Sequence, residues 1–227
     1  MSTAQRELVR AERTDLREFV ATLSSEQWTA PSLCAGWTVW DVVVHLVANT
    51  QVTVGQILRG APGTLVNFGK QMDRSTADRM ARFADLSNEQ LVAAFDASMR
   101  LDRPYADLDG MPWFGRMYVR YTPAQALADT VIHHQDIRRP LGLPRVIPPE
   151  RVHASLQRVV ASRWVFGGNG RARGLRVQAN DVAFARGDGP LVSGPGEALL
   201  LALSGRVVAL DELAGEGLVT LRSRVGN

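Results

Sequence analysis

The sequence predicts an α+β protein, with a helical N-terminal domain followed by a small domain that mixes strands and helices. Apolar residues recur at helical spacing up to about residue 140, whereas short apolar runs alternate with polar or small residues after residue 150. Between these regions, the segment 144–149 contains three prolines and is typical of a linker. We therefore expect one domain over residues 1–143 and a second over residues 150–227.

The composition of the 227-residue chain excludes several classes of protein. With 45% hydrophobic and 22% charged residues the chain is globular, and its net charge of +3 comes from dispersed arginines that form no basic block for nucleic acid. The single cysteine, Cys34, forms no intrachain disulfide and fits a reducing compartment, either as a half-buried small residue or as a catalytic thiol. Because no apolar run is suited to spanning a membrane, we expect a cytoplasmic protein. The sequence leaves open whether it is a monomer or a homodimer.

The N-terminal domain is predicted to be a series of helices separated by capped turns. An amphipathic first helix ends near Leu23, and Ser24–Gln27 and Thr38–Asp41 have the capping pattern that starts a helix. The stretch 102–121 contains too many proline and glycine residues for a continuous helix, and we expect a long loop that could form a lid or a pocket wall. Further helices are predicted at about residues 39–58, 64–83, 87–101 and 122–139.

The C-terminal domain is predicted from shorter signals. Residues 150–166 have helical periodicity and precede a glycine-rich loop, Gly167–Gly170, which lacks the Lys-Ser/Thr of a phosphate-binding loop. Alternating segments at 175–179 and 182–186 flank a tight Asn-Asp turn, which predicts two paired strands. The remaining predicted elements are a short helix at 197–203 and strands at 207–210 and 218–221.

Three polar residues could bind one metal ion together. His45 lies within the apolar run Val42–Val47, where an imidazole needs a hydrogen bond or a metal because an unpaired buried polar group costs about 1–3 kcal/mol. Asp129 and His133 are four residues apart on a predicted helix, so they emerge from the same face. Two histidines and one carboxylate suit Zn²⁺ or Fe²⁺, but the spacing also fits a hydrogen-bonded core histidine and a surface Asp–His pair.

Two neighbours of this set have open roles. His134 points about 100° away from His133 around the helix axis, and could face a pocket or solvent. Asp136 could hold the imidazole of His133 as an outer partner of a metal site, or pair with Arg139 three residues later.

Two motifs carry a family resemblance. The segment Leu33–Leu46, LCAGWTVWDVVVHL, resembles the N-terminal signature of the mycothiol-dependent maleylpyruvate isomerase family, which belongs to the DinB-like four-helix bundle superfamily. Asp129–Gly142, DTVIHHQDIRRPLG, resembles a second family motif, and Gly194–Arg206 is more loosely similar to the family's C-terminal α/β domain. The resemblance implies a four-helix bundle that holds a divalent metal, usually zinc, on side chains that map to His45, Asp129 and His133.

One position departs from the family pattern. The carboxylate ligand of the family's isomerase is a glutamate, and the matching residue here is Asp129, whose side chain is one methylene shorter. The metal could therefore lie closer to that helix, be bound through water or be lost. Arg206 occupies a place similar to that of a C-terminal arginine of the family's active site, and it could pair with a substrate carboxylate or be structural.

The resemblance implies an enzyme that uses a low-molecular-weight thiol on a small-molecule substrate. Mycothiol would add to an electrophilic carbon of a small compound, such as a dicarboxylate, and either isomerisation or stable S-transfer would follow. The alternative is a non-catalytic module of the same superfamily that binds or senses a small ligand.

Overall fold

The computed structural model describes residues 3–50, 78, 80–100, 122–163 and 165–225. These residues form helices and a three-stranded sheet, which confirms the predicted α+β class. They fall into two compact units, a bundle unit made of Arg13–Tyr121 and Asp136–Leu143, and a sheet unit made of Met1–Glu12, Thr122–Gln135 and Pro144–Asn227. The division into domains at 1–143 and 150–227 stays a prediction.

Helices of the bundle unit begin at capping side chains. The Ser24 hydroxyl accepts a hydrogen bond from the Gln27 amide while the Gln27 side chain accepts one from the Ser24 amide, which completes a capping box. Thr38 and Asp41 exchange the same pair of bonds at the next helix start. The described helices are α1 (Thr3–Val20, of which residues 13–20 belong to this unit), α2 (Ser25–Thr29), α3 (Val39–Thr50) and α4 (Asn88–Arg100), with a 3₁₀ turn at Ala81–Phe83.

The predicted helix ends are only partly reproduced. Helix α1 ends at Val20 rather than near Leu23, and just beyond its end the Thr22 hydroxyl donates to the Phe19 carbonyl at 2.7 Å. Helix α3 is described as far as Thr50, so its predicted continuation to residue 58 lies outside the described residues. The predicted loop over 102–121 and the predicted helix over 64–83, apart from residues 78 and 80–83, also lie outside them.

The apolar helix α3 lies in the core of the bundle unit. It packs with Leu16 of α1 and with Leu91 and Phe95 of α4, all of which are fully buried. Burying a side chain of this size contributes about 1.5–3 kcal/mol. The buried residues of α3 are Val39, Val42, Val43, Val44, Leu46, Val47 and Ala48.

A buried arginine lies beside this apolar core. Arg13 is 2% exposed, its Nη2 donates to Ser98 Oγ at 2.8 Å, and its guanidinium lies 4.5 Å from the centroid of the Phe95 ring. Its Nε and Nη1 atoms are buried and make no hydrogen bond within the part of the chain that the structure describes. One helical turn later, Arg17 is more exposed and forms a 2.8 Å ion pair with Asp96.

The sheet unit surrounds a short three-stranded sheet with the order β2–β1–β3, in which β1 is antiparallel to β2 and parallel to β3. Val177 of β1 pairs with Arg186 of β2 and with Val192 of β3. The helices are α5 (Pro123–Arg138, of which residues 123–135 belong to this unit), α6 (Pro149–Ala161), α7 (Gly168–Ala172), α8 (Gly196–Leu203) and α9 (Leu218–Arg222), with a 3₁₀ helix at Val207–Glu212. The strands are β1 (Arg176–Ala179), β2 (Ala185–Arg186) and β3 (Leu191–Gly194).

The structure corrects part of the predicted C-terminal domain. The two paired strands are confirmed as β1 and β2, β3 was not predicted, and α7 begins inside the predicted glycine-rich loop. The predicted strands at 207–210 and 218–221 are wrong, since these residues form the 3₁₀ helix and α9. In α9, Leu221 is fully buried while Val219 is 79% exposed, because the apolar contacts follow helical spacing rather than alternation.

Helix α8 forms the interior of the sheet unit and contacts α6, β1 and β3. Seven of its eight residues are buried, so it has no solvent-facing stripe. Neither α8 nor any other described helix is both long and apolar enough to cross a membrane.

Candidate functional site

Helix α5 carries an unusual number of buried polar side chains. It begins at Pro123, and the hydroxyl of the preceding Thr122 accepts from the Gln125 amide at 3.2 Å. Buried polar groups are almost always hydrogen-bonded or ligated, so each of these side chains requires a partner. The buried polar residues of α5 are Gln125, Asp129, Thr130, His133, His134, Gln135 and Asp136.

In the sheet unit, Asp129 and His133 form a close pair on one face of α5. Asp129 Oδ1 lies 3.5 Å from His133 Nε2, and the two side chains are 12% and 11% exposed. This is the geometry that the four-residue spacing predicts. The pair presents a carboxylate and an imidazole that keep slight access to solvent, which is suited to ligating a metal ion.

In the bundle unit, His45 is half-buried and hydrogen-bonded, as expected for an imidazole in an apolar run. Asn49 Nδ2 donates to His45 Nε2 at 2.9 Å, and the ring centroid of Trp37 lies 5.1 Å from that of His45. The N-terminal capping of α3 by Thr38 sets where this helix begins, and therefore which way His45 points.

The bundle unit also ties the Cys34 loop to the last turn of α5. Cys34 Sγ donates to Asp136 Oδ2 at 3.2 Å, and the Leu33 amide donates to the Asp136 carbonyl at 3.0 Å. Gly36 turns the chain between Cys34 and Trp37 with a φ of +77°, a conformation that glycine adopts without steric cost. The Cys34–Asp136 contact was not predicted, because the two residues are 102 positions apart.

A buried charge cluster in the sheet unit was also missed by the sequence analysis. Glu12 is fully buried, with its Oε1 3.0 Å from His134 Nδ1 and its Oε2 accepting from Arg151 Nη1 at 2.9 Å and Arg145 Nη1 at 3.2 Å. Arg145 Nη2 donates to Oε1 as well. Of the two orientations left open for His134, the one toward solvent is wrong, since its side chain is fully buried against Glu12.

The surroundings of Glu12 set its ionisation. Burial raises the pKa of Glu12, but the hydrogen bond with His134 and the positive charge and hydrogen bonds of Arg145 outweigh burial, and the pKa falls to about 2. The residue therefore stays ionised at neutral pH. The sequence did contain a signal for the burial of Glu12, because this residue lies between Val9 and Leu16 on the apolar stripe of α1.

Arg206 lies in the sheet unit at the start of the 3₁₀ helix, half-buried, with Nη1 donating to the Ser204 carbonyl at 2.8 Å. Burial lowers the pKa of Arg171, and the nearby positive charge of Arg206 lowers it further. The Arg171 guanidinium donates to the carbonyls of Phe166 and Leu203. Arg171 and Arg206 are thus close enough for the charge of one to affect the other.

Comparison with known proteins identifies relatives in sequence. A family model described as the mycothiol maleylpyruvate isomerase N-terminal domain matches residues 9–138. Two uncharacterized proteins of Mycobacterium tuberculosis, from strain CDC 1551 / Oshkosh and strain ATCC 25618 / H37Rv, are each 28% identical to the chain over 150 residues. Each of these alignments covers 60% of this chain and 56% of the relative, so the chain spans little more than half the length of these relatives.

Two crystal structures share the fold. One is of the mycothiol-dependent maleylpyruvate isomerase, with a TM-score of 0.54 and 16% identity, and the other is of a mutant of that enzyme, with a TM-score of 0.56 and 15% identity. Each comparison covers 95% of this chain and 96% of the other. Because the family model extends over more than half of the residues, the chain belongs to the mycothiol maleylpyruvate isomerase N-terminal domain family.

Proposed function

We propose that this chain is a metal-dependent enzyme that uses mycothiol as a co-substrate and acts as an isomerase or S-transferase on a small electrophilic compound. The observation that carries the proposal is the nearly buried Asp129–His133 pair inside the segment that the family model matches. The two structural neighbours are named as mycothiol-dependent maleylpyruvate isomerases, which supports the choice of thiol and reaction class.

We propose that His45, Asp129 and His133 hold one divalent ion, with zinc as the first candidate. Each of these residues offers one ligand atom, an imidazole nitrogen or a carboxylate oxygen. Two imidazoles and a carboxylate are a donor set that catalytic zinc accepts while keeping a coordination position open. When bound, the ion would supply Lewis acidity, which favours the thiolate form of a coordinated thiol at neutral pH.

The remaining residues of the predicted site would act through position and charge. Asp136 holds the Cys34 loop through both its carboxylate and its carbonyl, and it lies three residues after His133 on α5. It would therefore fix the rotation of the helix end from which His133 projects. Arg206, whose Nη1 is held by the Ser204 carbonyl, would attract an anionic group of the substrate or of the thiol.

The first test is the metal content of untagged protein, measured by mass spectrometry after purification and after reconstitution with zinc. We expect about one equivalent of zinc in the wild type and a large loss in His45→Ala and His133→Ala, because each variant removes one of three protein ligands. His153→Ala is the matched control, since His153 lies on α6 with its ring 6.1 Å from that of Phe184 and is not in the proposed ligand set.

The second test is mycothiol binding by titration calorimetry to the zinc-loaded and metal-free proteins. Binding that needs the metal and is lost in His133→Ala supports a thiol-dependent enzyme. A wild type that holds no metal even after reconstitution would contradict the proposal. A small ligand that co-purifies with that metal-free protein would favour the non-catalytic binding module.

A further inference from the structure

One face of α6 in the sheet unit is lined by polar and cationic side chains. Arg151, Ser155 and Arg158 recur at intervals of four and three residues, so they share this face. Arg151 donates to Glu12, and Arg158 Nη2 donates to Gln125 Oε1 of α5 at 3.1 Å. This face of α6 therefore contacts α1 through Arg151 and α5 through Arg158.

Arg158 and Ser155 each have a polar atom that makes no hydrogen bond to a described residue. Across the described ranges, no carboxylate lies within ion-pair distance of Arg158, whereas Arg151 has Glu12. Among the described residues, neither Arg158 Nε nor the Ser155 hydroxyl has a hydrogen-bond partner, and both are buried. Ser155 as a whole has no exposed surface. Burial lowers the pKa of Arg158 because it removes part of the solvent from the charged guanidinium.

The position of Arg158 along α5 follows from its contact with Gln125. Gln125 precedes Asp129 by four residues, which is about one turn or 6 Å along the helix, and His133 follows one turn later. All three belong to one stripe of α5. Arg158 is therefore bonded to the residue that lies one turn before Asp129 on the same stripe of α5.

We infer that Arg158 and Ser155 bind a carboxylate group of the substrate. A carboxylate has two oxygens, which one guanidinium and one hydroxyl can serve, whereas a phosphate calls for more donors. Partial exposure of Arg158 gives an anion a route to it. The inference rests on the proposed function for its choice of substrate, a small carboxylic acid whose electrophilic carbon would lie toward Asp129.

The test is calorimetric titration of succinate into the full chain, both zinc-loaded and metal-free. We expect Arg158→Gln to weaken succinate binding about tenfold or more, and Ser155→Ala to weaken it less, because a hydrogen bond to a charged group is worth more than a neutral one. Arg163→Gln, at an exposed arginine just beyond α6, is the control and should bind succinate like the wild type.

The outcomes separate this inference from the proposed function. Succinate binding that depends on Arg158 supports the inference whether or not the protein holds zinc. An unchanged far-ultraviolet circular dichroism spectrum and Tm in Arg158→Gln show that the variant is folded. Equal succinate affinity in wild type and Arg158→Gln, or no succinate binding by the wild type, would overturn it. Arg158→Lys gives a further check, since a retained charge with partial binding fits a direct ionic contact.

Discussion

Replacing Glu12 by Gln should destabilise the protein more than any other single charge removal in α1. The carboxylate of Glu12 has no exposure and accepts hydrogen bonds from Arg145 and Arg151 while contacting His134. An uncharged amide would leave two guanidinium groups buried without their anion. Breaking a buried ion pair from one side typically costs about 3–5 kcal/mol.

The pKa of Glu12 gives an independent magnitude. Its folded value of about 2 lies below the ordinary 4.5, and this gap corresponds to about 3 kcal/mol of stabilisation at neutral pH. Because the folded pKa is the lower one, the stabilisation is complete above pH 4.5 and is lost as the pH falls toward 2. Wild type and Glu12→Gln should therefore differ most near neutral pH and converge in acid.

Urea unfolding followed by tryptophan fluorescence measures both effects, since urea does not screen charges. The control is Glu7→Gln, an exposed glutamate of the same helix, which should change the free energy of unfolding by less than about 0.5 kcal/mol. A loss below about 1 kcal/mol for Glu12→Gln near pH 7, or a loss that stays constant down to about pH 3, would refute the reasoning.

Three further substitutions test other features. Arg13→Met should raise the free energy of unfolding by about 1–2 kcal/mol, because it removes a guanidinium whose Nε and Nη1 are buried without hydrogen bonds in the described part of the chain. A lower free energy of unfolding in chemical denaturation would contradict this. Thr38→Ala should cost about 1 kcal/mol by removing the N-cap of α3, seen as a lower Tm that a Thr3→Ala control does not share. Gly187→Ala should lower the free energy of unfolding clearly more than Gly36→Ala in the same assay. Both positions have a positive φ, which costs an alanine about 1–2 kcal/mol of backbone strain. Of the two, only position 187 would also bring the new Cβ against a backbone oxygen, that of Leu175, at 2.0 Å.

Local signals in the sequence predicted the parts of this structure that depend on local geometry. The exchange of hydrogen bonds between Thr38 and Asp41 was predictable, because both partners lie within one helical turn. The pairing of Asp129 with His133 follows in the same way from the pitch of an α-helix. These features need no knowledge of the rest of the chain.

The missed features all depend on residues that are distant in sequence. Glu12 meets Arg145 across 133 positions, and nothing in the local pattern around either residue names the other. The segments 207–210 and 218–221 have strand-forming composition, yet packing of Leu210 and Leu221 into the core selected helical turns. Tertiary contacts, rather than local propensity, therefore determined the secondary structure of these two segments.

The segment that most resembles a linker has an unexpected relation to proteolysis. Trypsin cleaves after arginine by taking the side chain into its S1 pocket, and the Arg145–Val146 bond offers a 93% exposed residue on its far side. The Arg145 side chain, however, is held by Glu12, so cleavage requires that contact to open first. The rate of cutting at this bond would thus report how often the Glu12 cluster opens, rather than how flexible the segment is.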